Sequence, residues 1–106
     1  MTYSWSLANV EDRAAASPGT FQIPARFKRA SLRVGDLAKL VFVFPSTSGP
    51  PNGERMWVKI TAVEGGRYRG RLWNNPVFFQ DLKANDSIEF GPEHVSDWEA
   101  GEAELE

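Results

Sequence analysis

Between residues 55 and 73, tryptophans and cations recur at alternate positions of an extended pattern. Trp57 and Lys59 precede the turn-forming Glu64-Gly65-Gly66, and Arg69, Arg71 and Trp73 follow it. On two paired strands these five side chains share one face. Arg and Trp together suit two kinds of contact. One is phosphate binding with base stacking, as on single-strand nucleic-acid binders. The other is the anchor of a protein interface, where both residue types are over-represented. The formal net charge of -2 weakens non-specific attraction to nucleic acid, so a protein partner is expected ahead of DNA or RNA. The competing expectation is that the N-terminal segment or an acidic tail covers this face, since two exposed tryptophans are unusual on a soluble monomer.

Other residue sets carry less chemistry. His94, Ser96 and Asp97 are the residue types of a hydrolytic triad, but within four positions they cannot form its chain of hydrogen bonds. Turn and capping roles are expected for them. Asp81 with Asp86, and Glu89 with Glu93, lack the spacing of a calcium loop. Gly65-Gly66 and Gly49-Pro50 lack the Gly-Lys-Ser/Thr of a phosphate loop. The absence of cysteine removes disulfides, thiolate zinc sites and cysteine nucleophiles. A lone histidine leaves little scope for metal binding or acid–base catalysis. No cofactor and no metal are expected, and enzyme activity is the minority reading, resting on an unrecognised carboxylate site.

The elements that must position the face follow from hydrophobic patterning. Met56, Val58 and Ile60, then Tyr68, Gly70 and Leu72, occupy the phase opposite the cations and define an inner face. A two-residue turn at Gly65-Gly66 would set core residues opposite surface residues. A three-residue turn from Glu64 to Gly66 avoids this, pairing Ala62 with Tyr68, Thr61 with Arg69, Lys59 with Arg71, Val58 with Leu72 and Trp57 with Trp73. Leu37 to Phe44 reads as a central strand covered on both sides, with Ala38, Leu40, Phe42 and Phe44 on one face. Asp86 to Phe90 reads as a further strand with Ile88 and Phe90 inward, and Pro92 as the start of one helical turn through Val95. Leu32-Arg33-Val34-Gly35-Asp36 and Leu82-Lys83-Ala84-Asn85-Asp86 repeat one turn chemistry, with a left-handed residue at Gly35 and at Asn85.

The 106 residues fit a single domain. Residues 1–20 form an N-terminal segment with one short helix over Ala8 to Ala16, capped by Asn9 and stopped by Ser17-Pro18-Gly19. Arg26, Lys28, Arg29 and Arg33 make residues 21–35 a basic, solvated connector. Residues 45–54 are a flexible Pro/Gly loop, Val77-Phe78-Phe79 a brief strand or buried crossing, and residues 99–106 a disordered acidic tail. Charge is divided along the chain: residues 1–80 hold 11 Lys/Arg and 5 Asp/Glu, whereas residues 81–106 hold only Lys83 against 9 Asp/Glu. Neither a signal peptide nor a membrane-length apolar run is visible, and a cytoplasmic location is expected. The expected fold is mainly β with one short N-terminal helix: a small antiparallel curled sheet or half-barrel of about five strands.

Glu54-Arg55-Met56-Trp57-Val58, Gly70-Arg71-Leu72-Trp73-Asn74-Asn75-Pro76, Leu82 to Phe90 and Val95-Ser96-Asp97-Trp98 together resemble a bacterial family, domain of unknown function 2314. The similarity spans roughly residues 30–98 and is looser to a neighbouring group proposed as immunity proteins of toxin systems. Asn85 departs from the glycine usual in the family. The resemblance implies no catalytic residues. The expected function is that of a non-enzymatic binding module, immunity-like in its most specific form, acting through the outer face of the 55–73 hairpin as a monomer or weak homodimer.

Overall fold

The alternation of residues 52–72 resolves into two long strands, and the other strands add to them in order. A computed structural model describes residues 5–44, 52–76 and 82–101. Its strands are β1 (Ser6–Leu7), β2 (Leu37–Phe44), β3 (Asn52–Glu64), β4 (Arg67–Leu72), β5 (Ser87–Phe90) and β6 (Val95–Glu99). All pairings are antiparallel. The order is β1-β2-β3-β4-β5, with β6 also on β2. The two short strands share one edge of β2. β1 takes Phe42 and Val43, while β6 takes Leu37 to Leu40 with an irregularity at Lys39/Leu40.

That arrangement curls the sheet. β5 and β6 lie at opposite ends of β5-β4-β3-β2-β6 and would stand roughly 19 Å apart if the sheet were flat. The residues between them, 91–94, include a 3-10 turn, Pro92–His94. Such a connection spans roughly 12 Å. The result is the expected half-barrel, and its concave side holds Ala38, Leu40, Phe42, Met56, Val58, Ile60, Tyr68, Leu72, Leu82, Ile88, Phe90 and Val95. Trp5, Leu7 and Trp98 close its rim.

The hairpin body has the expected register, with Val58 opposite Leu72, Lys59 opposite Arg71 and Ile60 opposite Gly70. Its tip differs. Gly65 and Gly66 both have positive φ, 57° and 79°, and form a two-residue turn between the paired Glu64 and Arg67. The conflict of faces is absorbed by an extra residue, Thr61, between Ile60 and Ala62. Its hydroxyl donates to the Arg69 carbonyl at 3.2 Å. Beyond this bulge the faces exchange: Val63, not Ala62, stands opposite Tyr68, and Ala62, not Thr61, opposite Arg69.

The repeated pentapeptide is one turn used twice. Gly35 has φ 98° and Asn85 φ 76°. Asp36 and Asp86 each accept the backbone N–H three residues earlier, from Arg33 and Lys83, at 2.9 Å. Both turns dock alike on the hairpin. Gly35 N–H donates to Ile60 O and Ile60 N–H to Asp36 O; Asn85 N–H donates to Leu72 O and Leu72 N–H to Asp86 O.

Helix α1 (Val10–Ala16) matches the expected one, with the Asn9 side chain accepting from Asp12 N–H. A second, four-residue helix, α2 (Arg26–Arg29), was not expected. Arg29 is not solvated as its basic surroundings suggested. It is only 5% exposed, donates to the carbonyls of Pro24 and Pro92, and pairs with Glu11 at 2.7 Å. Its own carbonyl accepts from the Tyr68 hydroxyl. A further unexpected strand is β6. Glu99 lies within it and Gly101 N–H donates to Asp36, while residues 102–106 lie outside the described residues. So do most of the 45–54 loop (residues 45–51) and the Val77-Phe78-Phe79 run.

Replacing Asn85 by Gly should leave stability unchanged or raise it by a few tenths of a kcal/mol, because Gly takes positive φ freely. Asn85→Ala should lower it by about 1 kcal/mol. Urea denaturation midpoints of the two variants check this.

Candidate functional site

β3 and β4 carry the candidate residues on the convex side of the sheet. Successive outward positions on β3 are Arg55, Trp57 and Lys59, and cross-strand partners share a face. Lys39 on β2 stands opposite Trp57, and Arg71 on β4 opposite Lys59. The Trp73 N–H donates to the Trp57 carbonyl at 2.8 Å, which sets the two indoles side by side. The Trp57 N–H is in turn held by the Asn74 side chain. This gives Asn74, two residues beyond the end of β4, a direct part in placing the tryptophans.

Each indole has a lysine above it. Lys59 Nζ lies 4.8 Å from the Trp73 ring centre and Lys39 Nζ 5.0 Å from that of Trp57. Such contacts hold an ammonium in place without neutralising it. Trp73 is 51% exposed, and Trp57 is half-buried.

The five expected residues therefore do not stand alike. Trp57, Lys59, Arg71 and Trp73 form one continuous patch. Arg69 is drawn away from it by Glu89, directly opposite on β5, with the side chains 3.4 Å apart. Among the described residues Arg71 makes only a long contact, 3.5 Å, to the Asn85 carbonyl. Sequence reasoning missed Lys39. Its signal was present, as the single cation in an otherwise apolar strand, but its partner depends on a β2–β3 register hidden by the intervening loop.

The described parts of the N-terminal segment and of the acidic tail, the elements expected to rival a partner, leave Trp73 51% exposed. Helices α1 and α2 pack on the 3-10 turn, and α2 meets the hairpin at the inward-facing Tyr68. Residues 20–22 reach the β2 margin, where Phe21 lies under the Arg55 guanidinium at 5.7 Å, and stop short of Trp73.

The triad residue types are used locally. His94 Nδ1 accepts the Gly91 N–H at 3.0 Å, the Ser96 hydroxyl donates to the Lys39 carbonyl, and Asp97 accepts the Trp98 N–H. Glu89 and Glu93 pair with Arg69 and Arg67, and Asp86 caps its turn. Asp81 lies outside the described residues, among which no group of three or more His, Cys, Asp or Glu side chains is placed to hold a metal ion. No helix among them is long and apolar enough to cross a membrane.

Fold and face together define a small antiparallel half-barrel domain with an aromatic–cationic convex surface. The chain belongs to the family described as uncharacterized protein conserved in bacteria (DUF2314), whose model matches residues 15–104. Neither a curated protein nor a solved structure matches it.

Burial holds His94 below its ordinary value of 6.5, against an opposing pull from Glu93. The groups facing it are Glu93, Arg67 and Glu11, and the neutral ring is the form that accepts from Gly91. On acidification the unfolded chain takes up this proton first, so stability should fall as pH drops from 7 through 6.5 towards the lower folded value. Burial pushes Glu93 up, but hydrogen bonds from its own backbone and Arg67, with the charges of His94 and Arg67, together hold it below 4.5, so it titrates further down. Thermal melts between pH 7 and 5.5 should show the slope in the wild type. They should show it flattened in His94→Asn, whose side-chain oxygen can still accept.

Proposed function

We propose that this protein is a non-enzymatic interaction module that binds a protein partner through the outer face of the 55–73 hairpin. The observation that carries the reading is the pairing of Lys59 directly opposite Arg71. Like charges at that position cost roughly 0.2–1 kcal/mol in the free sheet. No ion pair to either residue occurs among the described residues, whereas the neighbouring Arg69 meets Glu89. The unrelieved cations flank two tryptophans, the residue type that most often anchors protein interfaces. An acidic partner surface would relieve the repulsion and cover the indoles together.

A protein suits the face better than single-stranded nucleic acid, the alternative. One side of each indole is already taken by a lysine, and base stacking there would have to displace it. The overall charge of -2 also opposes a polyanion at long range. An immunity-like role is the most specific form of this reading and requires only that the partner be a toxin.

Arg69→Glu would set two carboxylates opposite one another across β4 and β5, so Arg71→Glu is the cleaner probe. It places an acid opposite Lys59 and should leave stability unchanged or raise it by up to about 1 kcal/mol. Partner capture from lysate by the tagged protein should be lost. An unchanged set of captured proteins would refute the reading. Tryptophan quenching by mixed oligonucleotides at low salt would move it to nucleic acid.

A further inference from the structure

We propose that the recognition surface continues from the hairpin onto β2 and takes an extended acidic peptide segment with Asp or Glu at alternate positions, one carboxylate seated between Lys39 and Arg55. This rests on the interaction-module reading and names the partner chemistry for it.

Among the described residues the basic side chains differ in their partners, and Arg13, Lys28 and Arg33, which lie outside the strands, form no ion pair. Arg26, Arg29, Arg67, Arg69 and Lys83 meet a carboxylate. Arg55, Lys39, Lys59 and Arg71, gathered on the convex face, do not. Three of these four lie over an aromatic ring instead: Arg55 over Phe21, Lys39 over Trp57 and Lys59 over Trp73. The rings hold the cations in position and leave their charge available to an incoming anion.

The register sets the spacing. Arg55 and Lys59 flank Trp57 along β3, and Lys39 lies diagonal to both on β2. Diagonal neighbours across antiparallel strands are about 7–8 Å apart. Alternate residues of an extended peptide are about 7 Å apart and point the same way. Acids at alternate positions can therefore meet Arg55, Lys39 and Lys59 in turn, and Arg71, directly opposite Lys59, shares the last of them.

At the β2 end the strip enters a groove of about 210 Å³, walled by Thr20, Gln22 and Ser96 as well as Lys39 and Arg55. Its size suits a carboxylate with its water. Asp97 also lines it, and its negative charge bears more heavily on a dianionic phosphate monoester than on a carboxylate, which favours an acidic over a phosphorylated segment.

The test uses the full chain and fluorescein-labelled decapeptides, read by anisotropy at low salt. One peptide alternates glutamate with valine or threonine; a second holds the same residues with the glutamates in one block. The alternating peptide should bind at least fivefold more tightly than the block. Lys39→Gln with Arg55→Gln, and separately Lys39→Glu with Arg55→Glu, should weaken it at least tenfold while thermal melts stay within a few degrees of wild type. Arg71→Glu should weaken it as well. Loss through Arg71→Glu with no effect of the Lys39/Arg55 variants would overturn this extension and leave the hairpin reading standing. Equal binding of the two peptides, binding of neither, or tighter binding of a ten-residue oligothymidylate would also overturn it.

Discussion

The four residues 91–94 join the two ends of the sheet, and the rest of the architecture answers to that short span. Because the connection cannot cross a flat sheet, β5 and β6 are drawn towards each other. The inner side becomes concave enough for one contiguous core. The connection is itself held down. Arg29 reaches the Pro92 carbonyl and Glu11 together, which ties α1, α2 and the turn at one point. A guanidinium suits that junction, since its fixed fork of donors can serve several acceptors at once.

The same curvature shapes the outer face. On the convex side of a curled sheet side chains diverge, which eases a cation standing opposite a cation and leaves rings uncovered. The inner face is filled by its own residues, whereas the outer one presents Trp73 and Trp57 with lysines resting on them. The division of charge along the chain is only partly resolved by folding. Glu89 and Glu93 neutralise Arg69 and Arg67 near the hairpin tip, but no acid of the described C-terminal quarter forms an ion pair with Lys59 or Arg71.

Much of this was legible because strand alternation is a local signal. Met56, Val58, Ile60, Tyr68 and Leu72 are all buried, and the body of the hairpin pairs as its pattern requires. The left-handed residues at Gly35 and Asn85 were readable for the same reason, since each turn is closed within its own few residues. What escaped was whatever depends on partners distant in sequence. A bulge and a longer turn satisfy the same parity rule, so patterning could not choose between them at Thr61. Arg29 looked solvated because its neighbours in sequence are basic, while the groups that bury it come from Glu11 and Pro92. β6 is too short and too mixed in character to announce itself without its partner β2. Lys39 belonged to the candidate face only once the β2–β3 register was known.

The sharing of one β2 edge by two short strands has a kinetic side. Strands β2 through β4 pair with their successors in the chain, so each ladder closes a modest loop. β6 instead meets β2 by bringing Glu99 back to Leu37 across the whole meander, and β1 approaches the same edge from the other direction. Loop-closure entropy makes such distant pairings the costliest to form. The central meander thus provides a template whose β2 edge is open, and β1 and β6 share the task of sealing it. Until they do, that edge offers its unpaired backbone groups to any other extended chain.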